Sequence, residues 1–160
     1  MDGDEFERAK TVALNYLSHR ARTERDVARR VEKAGFPPEV AAAVVEWARQ
    51  FGFVDDAAFA AAWVRSRGDR RHSSLRLLRQ ELAQQGVPRD LVDDVLSQED
   101  ADSEQRRADA LAEQVWGKLS RQGVADDIAR RRTYAALGRR GFSGSTARDA
   151  VLRAAGDSGR

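Results

Sequence analysis

The sequence predicts an all-α protein: three tandem three-helix modules forming an elongated, right-handed or curved helical-repeat array of about nine helices with no sheet. Its apolar residues are mostly Ala, Leu and Val, with Ile128 as the single isoleucine, which favours helix over sheet. Apolar residues recur at helical spacing along almost the whole chain. A turn pattern also occurs three times, with an aliphatic residue four positions before a glycine and an apolar residue directly after it: Val31-Gly35-Phe36, Leu82-Gly86-Val87 and Leu137-Gly141-Phe142.

The first module begins with a predicted helix over residues 12–21, where apolar residues face one side. Thr23 is the expected N-cap of a second helix, and Gly35 is the expected C′ residue that ends it. Pro37-Pro38 suits the entry to a third helix. That third helix carries an apolar stripe and stops at Gly52; the stripe consists of Val40, Val44, Trp47 and Phe51.

The second module repeats this order. Asp55 is the expected N-cap of a helix that places Phe59 and Trp63 one turn apart. A basic loop over residues 65–72 then leads to a second helix, capped by Ser73 or Ser74 and ended by Gly86, and Pro88 opens the third. The predicted apolar residues of these last two helices are Leu75, Leu78, Leu82, Leu91, Val92, Val95 and Leu96.

The third module follows an acidic, polar join over residues 97–104. Its first helix is longer and runs to Gly123, and Asp126 or Asp127 is the expected cap of the next helix. Ser143 is the expected cap of the last helix. We therefore divide the chain into an acidic N-terminal tail, three modules and a C-terminal tail, with boundaries at 1–11, 12–52, 53–100, 101–155 and 156–160. A single irregular helical bundle is the alternative to this division.

The composition excludes several classes of protein. The chain has no cysteine, which rules out disulfides and thiolate chemistry. No uncharged run approaches the length of a membrane span, and the acidic N-terminus is unlike a signal peptide. We therefore expect a cytoplasmic protein with no membrane contact, and the lack of a coiled-coil seam favours a monomer.

Catalytic and metal-binding patterns are absent from the sequence. Neither His19 nor His72 has a second ligand at the spacing that a zinc site needs. The pairs Asp55-Asp56 and Asp126-Asp127 fall at predicted helix starts, where negative charge complements the helix dipole. No phosphate-binding loop or nucleophile elbow occurs. We expect no catalytic residue, no metal and no cofactor.

Arginine supplies the most informative charge pattern. All but three of the 28 basic residues are arginine, although codon bias in a GC-rich genome would have the same effect. In each module the arginines concentrate at the first or second helix and their junction, which suggests a surface for a polyanion or an acidic partner. Solvated helix faces are the alternative. The candidate binding residues are Arg20, Arg22, Arg25, Arg65, Arg67, Arg70, Arg71, Arg76, Arg130, Arg131, Arg139 and Arg140.

Three segments resemble the RecX family of regulatory proteins. The opening motif is Ala13-Leu14-x-Tyr16-Leu17-x-x-Arg20-x-Arg22-Thr23-Glu24-x-x-Val27, and the most distinctive one is Gly52-Phe53-Val54-Asp55-Asp56-x-x-Phe59-Ala60-x-x-Trp63-Val64-x-x-Arg67. Glu81-Leu82-x-x-x-Gly86-Val87 fits the segment that follows. The resemblance covers residues 12–96 well and the third module through its helical pattern. It departs at His72, near which glycine is expected in many relatives.

The resemblance implies a function. Members of this family bind the RecA–single-stranded-DNA filament, lie in its groove and restrain RecA's ATPase, strand-exchange and coprotease activities in DNA repair and the SOS response. They have no catalytic residues to transfer. We expect the arginine clusters to contact the filament through RecA carboxylates, DNA phosphates or both, so that single-stranded DNA would be bound without sequence specificity. We expect Trp47, Phe59 and Trp63 to hold the modules together.

Two other functions fit the same residues. A helix-turn-helix transcription regulator would also place Gly35 and Gly86 in short turns between helices, and it would bind duplex DNA sequence-specifically. A helical-repeat scaffold for an acidic protein partner would not bind nucleic acid at all.

Overall fold

The computed structural model describes residues 2–156, and within them the chain forms nine α-helices and no β-strand. The all-α prediction is therefore confirmed. The helices follow in three successive groups of three, and none in the described range is long and apolar enough to cross a membrane. Their bounds are α1 Gly3–Leu17, α2 Glu24–Lys33, α3 Pro38–Gln50, α4 Asp56–Trp63, α5 Leu75–Gln84, α6 Arg89–Leu96, α7 Ala101–Arg121, α8 Asp126–Arg139 and α9 Gly144–Ala154.

The chain divides into two compact units. The first contains the residues up to Ala62 together with Leu82–Asp93. The three helices α1, α2 and α3 pack on one another there around a small-residue core. Alanines and valines let these helices approach closely, and the buried residues of this core are Ala9, Ala13, Val27, Val31, Val40, Ala41, Val44, Val45, Ala48 and Val54.

The second unit contains Trp63–Glu81 and the residues from Asp94 onward. Its helices α7, α8 and α9 pack together, and α7 contacts both of the others. The buried core of this group again combines small and medium apolar side chains: Ala108, Leu111, Ala112, Leu137, Phe142, Ala147, Ala150 and Val151. The boundary between the units passes through the helices of the second group.

Four of the predicted helix caps are confirmed. The hydroxyl of Thr23 accepts a hydrogen bond from the Asp26 N–H, and Asp55, Ser74 and Ser143 accept equivalent bonds at the starts of α4, α5 and α9. The prediction of an aspartate cap for α8 is wrong. Ala125 occupies the N-cap position there, and Asp126 and Asp127 lie in the first turn, where they complement the helix dipole without capping.

The three repeated glycine turns have one geometry. Gly35, Gly86 and Gly141 all adopt positive φ, at 98°, 85° and 86°. In each turn the residue after the glycine donates its N–H to the carbonyl of the aliphatic residue five positions earlier, over 3.4 Å from Phe36, 3.1 Å from Val87 and 3.2 Å from Phe142. This is the Schellman motif, in which the two residues joined by that bond also bring apolar side chains together. The aliphatic partners Val31, Leu82 and Leu137 are fully buried.

Two segments differ from their predicted structure. The helix α1 begins at Gly3, so residues 3–11, assigned to an acidic tail, are helical; Asp2 caps them, and Phe6 and Ala9 pack into the core. The predicted basic loop over 65–72 is largely a π-helical segment, Val64–Arg70, that continues α4. Gly68 in this segment is buried, and a Cβ built on it would lie 3.4 Å from the Leu78 side chain. Of the predicted C-terminal tail, 156–160, the residues after 156 lie outside the described part of the chain.

The aromatic predictions require one correction. Phe51 was assigned to the apolar stripe of α3, yet it is 67% exposed because it follows the last turn of that helix. Trp47 is half-buried on the core of its own group, where its ring stacks on Phe53 with centroids 5.1 Å apart. Trp63 donates from Nε1 to Glu81 Oε2 over 2.9 Å, which joins α4 to α5.

Candidate partner-binding surface

The start of α2 forms a joint with the glycine turn that ends α5. The hydroxyl of Thr23 donates to the backbone carbonyl of Gln85 over 2.8 Å. The Arg25 guanidinium donates to the neighbouring carbonyl of Gln84, and a Cβ on Gly86 would overlap that guanidinium. Both side chains therefore close the last turn of α5, whose terminal carbonyls have no partner within the helix. Arg25, a candidate binding residue, is half-buried in this joint.

The start of α5 forms a related joint with the glycine turn that ends α8, although its N-cap residue donates the backbone N–H rather than the hydroxyl. The Ser74 N–H donates to the Arg140 carbonyl over 3.0 Å, and Arg76 Nε donates to the Gly141 carbonyl over 3.4 Å. Ser74 and Arg76 stand the same number of residues before Gly86 as Thr23 and Arg25 stand before Gly35. The sequence repeat is thus also a repeat of contacts: an N-cap hydroxyl residue and the arginine two positions later bind the turn of the following module.

The third module lacks this pair of residues. Counted back from Gly141, the equivalent positions are Ala129 and Arg131, which lie inside α8; at the start of that helix stand Ala125, the N-cap residue, and Asp127 two residues later. Neither side chain can donate a hydrogen bond to a carbonyl of a glycine turn. The start of α8 therefore cannot make the contact that the starts of α2 and α5 make.

Several candidate arginines are engaged within the fold. The Arg22 guanidinium lies 4.0 Å from the centroid of the Tyr16 ring, and that of Arg67 lies 4.7 Å from the Trp63 ring. The Arg140 guanidinium donates to the Arg71 carbonyl, which ties the end of α8 to the loop before α5. With Arg25 and Arg76 in the two joints, these side chains contribute to the structure, whatever else they bind.

Other candidate arginines are exposed. Within residues 2–156 the side chains of Arg20, Arg65, Arg70, Arg71 and Arg139 form no ion pair or hydrogen bond with the protein. Four of the five belong to the second unit, where the Arg140–Arg71 bond brings together two arginine clusters that are far apart in the sequence. We call Arg65, Arg70, Arg71 and Arg139 the exposed arginine set. Their charges are available to an anionic partner.

The remaining two candidates lie on α8. Arg131 forms an exposed ion pair with Asp127 one turn earlier, at 3.5 Å, and Arg130 lies 5.8 Å from the centroid of the Trp116 ring. Ion pairs this exposed contribute little to stability and exchange readily for another partner. Arg131 therefore remains accessible to a partner.

The described residues contain no group of three or more histidines and carboxylates that could hold a metal ion. Asp56, one of the paired aspartates, is 5% exposed and accepts the Glu24 N–H over 2.9 Å at Oδ1. Burial raises the pKa of this carboxyl above its ordinary value, partly offset by that hydrogen bond. Its role is to join the starts of α2 and α4.

The backbone conformation of His72 explains why glycine is expected near this position. Its φ is +55°, and it is the one non-glycine residue with positive φ in the described part of the chain. Glycine adopts this conformation at little cost, which accounts for the glycine expected near this position. Burial, followed by the charges of Arg140 and Arg107, lowers the pKa of His72 below its ordinary value.

Comparison with known proteins decides the family. Models of the first, second and third three-helix domains of RecX match residues 9–47, 55–96 and 102–151. The regulatory protein RecX of Mycobacterium avium is 40% identical over 148 residues, which are 91% of this chain and 84% of that protein. This chain belongs to the RecX family. The RecX of Mycolicibacterium vanbaalenii is 37% identical, again over 91% of this chain, and covers 81% of that protein.

Solved RecX structures share the fold. The crystal structure of RecX from Lactobacillus salivarius superposes with a TM-score of 0.79 at 17% identity, covering 96% of this chain and 99% of that one. A second crystal structure of a regulatory protein RecX gives a TM-score of 0.72 at 26% identity, covering 91% and 72%. The resemblance seen in the sequence is thus confirmed, and it extends to the third module. These relatives carry the name of regulatory proteins rather than of enzymes.

Sequence reasoning missed one cluster. Arg148, Tyr134 and Leu152 line a groove on the outer surface of α8 and α9, together with Arg130 and Arg131. Tyr134 and Leu152 carry no sequence signal because other apolar residues lie near them on their helices, and Arg148 stands apart from the arginine clusters in the sequence. Only the pairing of two helices brings them together.

Proposed function

We propose that this protein binds the RecA–single-stranded-DNA filament and restrains RecA's ATPase, strand-exchange and coprotease activities in DNA repair and the SOS response. It would act in the cytoplasm as a monomer, without a cofactor or a metal ion. Membership of the RecX family supports the proposal. The modules that we propose as its working parts keep the boundaries given above, 12–52, 53–100 and 101–155.

The exposed arginine set is the observation that carries the proposal. Arg65, Arg70, Arg71 and Arg139 are exposed, and the Arg140–Arg71 bond holds the two clusters that supply them in one unit. Arginine presents a planar fork of donors that binds carboxylates and phosphates in two-point contacts. A RecA filament on single-stranded DNA offers both kinds of group, so the set can bind protein, DNA or both.

The first test titrates this protein into RecA's single-stranded-DNA-dependent ATPase and strand exchange, with RecA from the same source. Inhibition at far less than one molecule per RecA is expected, because a regulator lodged in a filament affects many subunits. No effect at equimolar protein would refute the proposal. A DNA-binding assay with scrambled duplex DNA as competitor tests the alternative function. Duplex binding that depends on sequence would indicate a transcription regulator instead.

Charge reversal locates the contact. Arg70 and Arg71 changed together to Glu should weaken filament binding and reduce its salt dependence, while thermal unfolding stays within a degree or two, since exposed charges contribute little to stability. Arg8→Glu with Arg89→Glu is the matched control, because both side chains are exposed but lie outside the exposed arginine set. Equal binding by the two double variants would rule out this surface.

A further inference from the structure

A groove of about 470 Å³ runs along the surface between α8 and α9. Its apolar lining comes from Tyr134 on α8 and from Val151 and Leu152 on α9. Tyr134 is 42% exposed and Leu152 is 45% exposed, so both belong to the few large apolar side chains that the described residues leave in water. Exposed apolar side chains that converge in one concave place are typical of binding sites, whereas single ones are ordinary surface.

Among the residues that the structure describes, arginines supply the charge of the groove lining. They are Arg130 and Arg131 on α8 and Arg148 on α9, and no acidic residue within 2–156 lines the groove. Arg148 forms no ion pair within residues 2–156, and the partner of Arg131, Asp127, is 77% exposed, so this pair is largely screened by solvent. An apolar groove with cationic edges is complementary to a segment that carries apolar and acidic side chains together.

The lining favours a protein segment over nucleic acid. Val151 and Leu152 are aliphatic, offer no ring for base stacking and have no side-chain group that reads a base edge; Tyr134 supplies the one ring among the described lining residues, fewer than a stacking platform for successive bases needs. They do fit a leucine- or phenylalanine-sized side chain. Amphipathic peptides bind such grooves with apolar anchors at helical spacing, while their polar residues face the edges.

We propose that the groove between α8 and α9 docks an acidic amphipathic segment of a protein partner. Apolar side chains of the segment bury Tyr134 and Leu152, and its carboxylates pair with Arg131 and Arg148. The proposal does not depend on RecA being that partner. A negative RecA titration would count against the proposed function and leave the groove to be judged by its own test.

The test uses the full chain and a synthetic probe, a helix-forming peptide with leucines on one face and glutamates elsewhere. Binding is followed by amide chemical shifts in two-dimensional NMR. The expected result is saturable shifts confined to residues of α8 and α9. Two matched peptides separate the contributions: one replaces the leucines by serine, the other replaces the glutamates by lysine, and each should bind at least about tenfold more weakly.

Two variants test the residues. Leu152→Asp and Arg148→Glu should each reduce affinity for the acidic probe by about tenfold or more, with circular dichroism and thermal unfolding unchanged because both side chains are exposed. Phe51→Asp is the matched control, an exposed apolar residue outside the groove, and it should bind as the wild type does. Undiminished binding by Leu152→Asp would overturn the proposal. So would equal binding of the serine peptide, or displacement of the probe by oligo(dT) with the same shifts.

Discussion

The joint between the start of α5 and the Gly141 turn can be tested by adding one methyl group at Gly141. In Gly141→Ala the new Cβ would overlap Ser74 Oγ and lie 3.0 Å from Leu77 Cβ. Ser74 is fully buried and caps α5 through the Leu77 N–H at 3.1 Å, so its hydroxyl cannot turn away without loss of the cap. Gly123→Ala is the control, because Gly123 also has positive φ, at 69°, but a Cβ there would meet nothing within 4 Å.

The difference between the two variants measures the joint. Both carry the cost of an alanine in the left-handed region, about 1–2 kcal/mol, and this cost cancels. Overpacking costs about 1–3 kcal/mol, and loss of the Ser74 cap would cost about 1 kcal/mol if the side chain moved instead. The free energy of unfolding of Gly141→Ala should therefore fall about 1–3 kcal/mol further than that of Gly123→Ala.

Urea unfolding followed by circular dichroism measures both values. Ser74→Gly is the second mutation of a double-mutant cycle. Glycine is nearly as good an N-cap as serine, and it removes the Oγ atom that the new methyl group would meet. In that background most of the excess cost of Gly141→Ala over Gly123→Ala should disappear, and the contact with Leu77 Cβ accounts for what remains. If Gly141→Ala and Gly123→Ala destabilise equally with Ser74 present, the turn is not packed on the start of α5 as described.

Three further predictions concern buried polar groups. Thr23→Val keeps the shape of the side chain but removes both the cap and the hydrogen bond across the first joint, and denaturant unfolding should show a loss of about 2 kcal/mol; Thr23→Ser should restore most of it. Asp56→Asn retains an acceptor for the Glu24 N–H. Because burial raises the pKa of Asp56 in the fold, the native state binds this proton more readily than the unfolded chain, and the carboxyl's contribution to stability falls as pH rises through the raised pKa. Asp56→Asn should therefore gain stability over the wild type at pH 7 and lose that advantage in acid; a difference independent of pH would contradict this. Glu99→Ala leaves the guanidinium of Arg107, which is 7% exposed, without the carboxylate 2.7 Å away, and should cost about 3 kcal/mol, whereas adding Arg107→Met should recover much of the loss in the same unfolding assay.

The fold could be predicted from the sequence because its signals are local. The Schellman turns at Gly35, Gly86 and Gly141 require a glycine, a buried aliphatic residue and an apolar neighbour at fixed spacing, and all three are visible in the chain. The caps at Thr23 and Ser143 follow the same logic. The π-helical segment was missed since a buried glycine and a solvent-exposed one look alike in a sequence, and only the Leu78 side chain beside Gly68 distinguishes them.

The candidate site was less predictable because an arginine's role depends on what lies beside it. Arg25 and Arg70 are indistinguishable as members of basic clusters, yet Arg25 donates to the Gln84 carbonyl while Arg70 is exposed. The groove residues Tyr134 and Leu152 carry no sequence signal at all, since they are apolar residues on helices with other apolar residues nearby. Their exposure is a property of the helix pairing.

The repeated joint explains why basic residues cluster at the same place in the first two modules. Each glycine turn ends a helix with carbonyls that need donors, and the arginine two residues after an N-cap is placed to supply one across the junction. A structural need for Arg25 and Arg76 therefore produces part of the charge pattern that resembles a binding surface. The other part has no such need. Arg65, Arg70, Arg71 and Arg139 satisfy no carbonyl in the described chain, and we propose a partner as the reason for their presence.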